Sequence, residues 1–340
     1  MSLSQQTALT APEEGALLEA GPSLLRRAIG TSALGPSVAL LLVGAFFTLK
    51  SDRFLTGGNL SLVLQQTIEV GTLAIGQTLI ILTAGIDLSC GAVMAFGSIV
   101  MTKLAVDSGV SPVVAIVLGI AACAGFGVLN GTLVTSVKLP PFIVTLGTLN
   151  IAFALTHIYS QEATVTGVPS EMTYLGKTFQ VGGTGITYAT IVMLALFAVG
   201  WFALTQSPTG RHVYALGDNP EAVRLAGVHV RRLLIGVYLF AGLIYGIAAL
   251  LLVARTQVGD PAAGQTDNLD SITAVVLGGT SLFGGRGSVL GTLVGALIVG
   301  VIRNGLTLLG VDAIYQVLIT GILVILAVAA DQLTRRRQAV

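Results

Sequence analysis

Long runs without a single Asp, Glu, Lys or Arg recur along this chain and constrain its fold more than any other feature. The longest clean ones are 112–137, 178–210 and 233–254. As a helix, the last would rise about 33 Å, enough to cross a hydrocarbon core about 30 Å thick. Lipid offers no hydrogen-bond partner to a bare peptide group, so such segments must close their backbone bonds internally. Composition agrees, with 54% of residues hydrophobic and only 10% charged. The expectation is an all-α, polytopic integral membrane protein with short or broken helices.

The net charge of +1 says little, but charge placement gives an orientation. Arg26 and Arg27 precede the first apolar run, and Arg335, Arg336 and Arg337 follow the last. Between them, 206–232 holds Arg211, Arg224, Arg231 and Arg232 against Asp218 and Glu221. The positive-inside rule places all three clusters in the cytoplasm, which requires an even number of spans. Ten helical segments meet that demand, at about 32–50, 60–84, 91–106, 112–136, 142–160, 187–206, 233–254, 270–283, 287–305 and 312–330. Residues 161–186 form the longest outer loop. The expected organisation is a disordered cytoplasmic tail over 1–30, one transmembrane domain over 31–334 and a basic tail over 335–340. The first 25 residues lack the charged-then-apolar order of a signal peptide.

Cys90 and Cys123 sit in apolar surroundings and read as small buried hydrophobes. His157, His212 and His229 are scattered, with no metal-ligand spacing. Gly119, Gly125, Gly127 and Gly131, like Gly287, Gly291, Gly295 and Gly300, have the spacing that lets helices approach closely in lipid. No GxxxxGK[ST] phosphate loop occurs, so ATP hydrolysis by that route is not expected of this chain.

Three stretches carry candidate chemistry. Gly85-Ile86-Asp87-Leu88-Ser89-Cys90-Gly91 places a carboxylate between two apolar runs. It is either a capped turn at the start of the third helix or an unwound break lining a wet cavity. Leu269-Asp270-Ser271-Ile272-Thr273 opens a short apolar segment that breaks at Gly278-Gly279 and Gly284-Gly285 beside Arg286, mirroring the first motif in the second half of the chain. In the polar stretch 207–232, Asn219 caps a short helix with Pro220 at its first position, Glu221 in its first turn and Gly227 at its end. A helix of about seven residues is not stable alone in water and needs a surface to dock on.

These stretches, together with Ile80-Ile81-Leu82-Thr83-Ala84 and Ala274-Val275-Val276-Leu277-Gly278-Gly279-Thr280-Ser281-Leu282, resemble the permease subunits of bacterial ABC importers for monosaccharides such as ribose, xylose, arabinose, galactose and fructose. The resemblance covers about residues 40–330. It implies a pore formed with a second permease copy, an extracytoplasmic sugar-binding protein, and a separate ATPase that carries the ATP, leaving this chain without a cofactor. Lipid is an expected partner and nucleic acid is not; the bacterial inner membrane is the implied location. By resemblance, Gly217, Asn219, Glu221, Ala222, Ala226 and Gly227 couple to the ATPase. One departure is Asn268, where an acid is common in the family's pattern.

For the path or gate the candidates are Asp87, Ser89, Gln77, Asn150, Asp270 and Thr273. Gln65, Gln66, Thr145, Asn304 and Gln316 are further polar groups on apolar helices, where amides offer both donor and acceptor to a hydroxyl-rich cargo. Interhelical hydrogen bonding is the competing role for each. Asp87 has a possible cation partner in Arg286. Two other functions remain open at this point: an ion-coupled transporter using Glu69, Asp87 and His157 as a relay, and an ABC permease for a nucleoside or polyol.

Overall fold

The structure, a computed structural model, describes residues 34–338. The expected tail over 1–30 with its Arg26 and Arg27, and the last two residues of the basic tail, lie outside the described residues. Each of the ten expected segments holds a helix. They are α1 (Leu34–Lys50), α2 (Gly57–Leu82), α3 (Cys90–Val106), α4 (Pro112–Thr132) and α5 (Pro141–Ser160) in the first half. The 161–187 connection holds α6 (Ser170–Thr173) and the strands β1 (Thr178–Val181) and β2 (Thr184–Thr187). There follow α7 (Tyr188–Gln206), the short pair α8 (Pro208–Asp218) and α9 (Pro220–Leu225), then α10 (Val230–Thr256), α11 (Asp267–Leu277), α12 (Val289–Leu308) and α13 (Ala313–Gln338).

Local chemistry explains many of the ends. Thr56, Thr187 and Ser288 cap α2, α7 and α12, each hydroxyl accepting from a backbone N–H three residues on. Proline occupies the first turn of α4 and α5, where its missing N–H costs nothing. A π-helical turn at Leu133–Val137 and left-handed Lys138 then bring α4 to a stop ahead of Pro140 and Pro141.

Among the described residues, five helices are long and apolar enough to cross a membrane: α4 with its π-turn, α5, α7, α10 and α12. Shorter apolar helices cover Leu34–Lys50, Cys90–Val106 and Ala313–Ala329. α2 is long but carries buried polar groups along much of its length, including Thr72, Gln77 and Thr78. It packs with α10, α11 and α12 at the centre. The outward faces of α1, α4, α5, α7 and α13 instead show exposed Leu, Val, Ile and Phe, the surface lipid covers. Small residues let α10 approach α4 backbone to backbone. A side chain on Gly127 would overlap Tyr238 O, and one on Gly246 would meet Ile120.

Four regions differ from the sequence expectation. The outer loop contains an antiparallel hairpin, Thr178 opposite Thr187 through Val181 opposite Thr184, turned by Gly182 and Gly183 with φ of 56° and 80°. Both turn residues need that left-handed backbone, which glycine adopts without strain. The 207–232 stretch holds two helices where one was expected. The segment expected over 270–283 is an 11-residue half-helix starting at Asp267 and ending at Leu277, about 16 Å long, and 278–288 is a turn region. α13 continues to Gln338, past the expected end at 330.

Candidate translocation and coupling site

The break between α2 and α3 is held by a buried polar knot. Ala84 takes a left-handed φ of 60°, which frees the chain from α2 before it re-enters helix at Cys90. Asp87 Oδ1 accepts from Ser89 N at 2.7 Å and Ser89 Oγ at 2.6 Å, and Tyr245 Oη of α10 donates to Oδ2 at 3.3 Å. Asp87 is 1% exposed, and its hydrogen-bond partners among the described residues are neutral donors. Where the sequence suggested Arg286 as partner, the carboxylate is answered by the N–H and O–H donors of Ser89 and Tyr245. Ser89 Oγ accepts in turn from Asn130 of α4, whose Oδ1 accepts from Thr148 of α5 at 2.8 Å. Gln77 of α2 donates to Asp87 O and to Cys90 Sγ, and Thr145 donates to Ile86 O at 3.0 Å. Asn268 Nδ2 of α11 donates to Leu88 O at 3.2 Å. An amide can make that bond and an ionised acid cannot, which gives Asn268 a structural consequence. The loop is thus tied to helices α2, α4, α5, α10 and α11.

A second cluster links the helices through charge. Arg255, at the end of α10, grips Glu69 of α2 with both Nε and a terminal nitrogen, at 2.6 and 2.9 Å. Arg303 of α12 pairs with Asp270 at the start of α11 and lies 3.8 Å from Asp267. Guanidinium forks suit this planar pairing, and the partners are largely buried. Beside Arg303 opens a cavity of about 540 Å³ between α2, α11, α12 and α13. Gln66, Asp270, Thr273, Arg303, Gln316 and Thr320 line it among aliphatic side chains. The Gln66 carbonyl oxygen is buried and has no hydrogen-bond partner there.

The helices α8 and α9 form the third part. Ser207 caps α8, and Asn219 Oδ1 caps α9 by accepting from Ala222 N at 3.0 Å, as its sequence predicts. Glu221 and Arg224 pair on the exposed face at 2.5 Å, and the arginine holds the Glu221 carboxyl below the usual glutamate range. Gly227 ends the segment with φ of 83°. The other face of α8 is seated on both broken-helix loops. Gly217 lies so close to the end of α2 that a Cβ would overlap Leu82 O and stand 2.5 Å from Gly285 N. Gly285 N itself donates to Leu82 O at 3.0 Å, closing the two loops onto each other. Tyr214 Oη donates to Gly287 O at 3.1 Å, and burial raises its hydroxyl pKa, so it stays a donor.

The remaining sequence candidates are dispersed. Asn150 is exposed on α5 and donates to Leu146 O of its own helix. Gln65 donates to Ser61, and Asn304 accepts from Asn59, an interhelical bond near one end of α12. Gln316 donates to Val311 O and Thr307 while lining the cavity. Thr273 donates to Leu269 O one turn back. Glu69, Asp87 and His157 have separate surroundings: Arg255, Ser89 with Tyr245, and the Phe153 ring at 4.4 Å. They do not form a chain for protons. Cys90 and Cys123 are both buried and free. Sequence reading missed Tyr245, Asn130, Thr148, Arg255, Asp267, Arg303 and Tyr214. Arg303 alone had a signal, a cation inside an apolar helix.

Residues 59–328 match the family described as the permease component of the branched-chain amino acid transport system. The chain belongs to this permease family. The fructose import permease of Rhizobium meliloti is 44% identical over 304 residues, covering 88% of this chain and 84% of that protein. The ribose import permease of Bacillus subtilis is 40% identical over 301 residues, covering 88% and 92%. A D-allose transport system permease of Escherichia coli is 34% identical over 297 residues, covering 87% and 90%. No solved structure matches this chain. The permease reading therefore holds at the level of the monosaccharide ABC importers, as the three sequence stretches indicated.

Proposed function

We propose that this permease is the membrane subunit of an ATP-powered, binding-protein-dependent importer for a monosaccharide. It works beside a second permease copy, a separate ATPase and an extracytoplasmic binding protein, and holds no cofactor of its own. The observation that carries the coupling is the seating of α8 on the two broken-helix loops, with Gly217 against Leu82 O and Gly285 N. A push on the exposed face of α9, at Glu221, Ala222 and Ala226, is passed through Gly217 and Tyr214 to the turns after α2 and α11. Those turns lead directly to Asp87 and, through the 11-residue α11, to Asp270 at the other end of the half-helix. On this orientation α8, α9, Arg231 and Arg232 face the cytoplasm.

The sugar passes by the cavity beside Asp270, Thr273, Arg303 and Gln66. Paired carboxylate and guanidinium groups with amides and hydroxyls meet the donors and acceptors of a polyhydroxylated ring, and the unpartnered Gln66 oxygen is an acceptor that a sugar hydroxyl satisfies. Asp87 acts as a gate residue. A capping role alone needs no charge, since Asn caps as well as Asp, yet here a carboxylate is buried on hydrogen bonds alone. The test is reconstitution with the ATPase and binding protein in proteoliposomes. ATP-dependent uptake of labelled ribose, fructose or allose supports the reading. ATP turnover by the permease alone, or uptake driven by an ion gradient without ATP, overturns it.

A further inference from the structure

The structure assigns a second binding site to this chain, a seat for one anionic phospholipid in a groove between α2, α7 and α10. The groove has a volume of about 450 Å³ and lies away from the proposed sugar cavity, sharing no residue with it. Ile75 and Leu79 of α2 line it, with Leu196, Val199 and Ala203 of α7 on one side and Phe240, Leu243 and Ile247 of α10 on the other. Apart from Arg232 no charged residue lines it, and its few polar groups, Ser207 and Thr209, sit where α7 turns into α8. From Arg232 to Ile247 the groove follows α10 for about 22 Å, more than one leaflet of a core about 30 Å thick.

An apolar slot of this length inside a membrane protein takes an acyl chain. Arg232 decides which lipid. It is exposed at the mouth of the groove, next to Arg231, and neither arginine has an acid partner among the described residues. Basic groups at the end of an interhelical slot attract anionic headgroups in the leaflet they face. That this is the cytoplasmic leaflet rests on the orientation proposed above; the binding itself does not. Gly236 keeps the slot open, because a side chain there would meet no atom within 4 Å. Helix α8, the helix proposed to carry the ATPase's push, forms one end of the seat through Gly210 and Val213.

The experiment is native mass spectrometry of the full chain, delipidated and then exposed to an equimolar mixture of phosphatidylglycerol and phosphatidylethanolamine. One tightly retained phosphatidylglycerol is expected. Arg232→Gln should weaken its retention about fivefold relative to phosphatidylethanolamine, the effect of one interfacial cation. Gly236→Leu should remove the retained lipid while leaving thermal unfolding of the chain unchanged, and Gly236→Ala, too small to fill the slot, should keep it. Equal retention of both lipids by the wild type, or unchanged phosphatidylglycerol retention in both Arg232→Gln and Gly236→Leu, overturns the assignment. So does a disulfide between two copies of a Gly236→Cys chain in the membrane, since the groove would then be an interface between copies. None of these readouts depends on sugar uptake, so the importer reading stands or falls separately.

Discussion

Replacing Asp87 separates its structural work from its charge. Its two oxygens accept from Ser89 N, Ser89 Oγ and Tyr245 Oη, all inside the protein. In Asp87→Ala the Ser89 N–H, the Ser89 hydroxyl and the Tyr245 hydroxyl lose their acceptor. At about 1–3 kcal/mol for each buried donor left unpaired, the loss comes to about 3–9 kcal/mol, enough to unseat the loop. In Asp87→Asn the amide oxygen still accepts from Ser89, and its NH₂ faces a tyrosine oxygen able to accept, so the cost stays under about 1 kcal/mol. Thermal unfolding in detergent should therefore rank wild type close to Asp87→Asn and well above Asp87→Ala. If Asp87 works the gate as proposed, uptake by the reconstituted complex should nevertheless collapse in Asp87→Asn at matched protein levels, because an amide cannot take the place of the carboxyl group there. Uptake within about twofold of wild type, a difference under about 0.5 kcal/mol, would reduce Asp87 to a cap and refute the gate argument.

Glu221→Lys should abolish co-purification with the ATPase and uptake without changing the amount of permease in the membrane, since Glu221 and Arg224 are both exposed and their pair supports little of the fold. Because Arg224 holds the Glu221 carboxyl below its ordinary 4.5, the ionised pair persists above that pH and is lost only as pH falls through the lowered value; ATPase binding followed by pull-down should be flat down to 4.5 and weaken only beneath it. Arg303→Gln leaves Asp270 and Asp267 without their cation and should cost about 3–5 kcal/mol in a denaturation series. Gln66→Leu removes one acceptor from the proposed sugar cavity and should raise the KM for uptake by about two- to tenfold with assembly intact, the worth of one neutral hydrogen bond.

The legible parts of this protein were those written as local contrast. Asp87 stood out as one carboxylate between glycines and apolar runs, and α9 declared itself through Asn219, Pro220 and Gly227. Ser207-Pro208 is an equally good start signal for α8, but Gly210 and Gly217 inside the helix masked it. The hairpin hid inside the uncharged run 178–210, where charge counting cannot tell alternating Thr and aliphatic residues from a span. Tyr245, Asn130 and Thr148 became visible only in the fold. Each is an ordinary residue of its own helix, and only tertiary packing brings it to the Asp87 loop.

The central claim is that α8 transmits ATPase movement through Gly217 to the broken-helix loops. It is tested most directly by measuring ATP hydrolysis and sugar uptake together in proteoliposomes carrying Gly217→Ala in the assembled importer. A Cβ at that position overlaps Leu82 O, a misfit of about 1–3 kcal/mol concentrated where α8 meets the loops. The account expects hydrolysis to continue while uptake is lost, so that sugar moved per ATP falls sharply. An unchanged ratio of uptake to hydrolysis would contradict it.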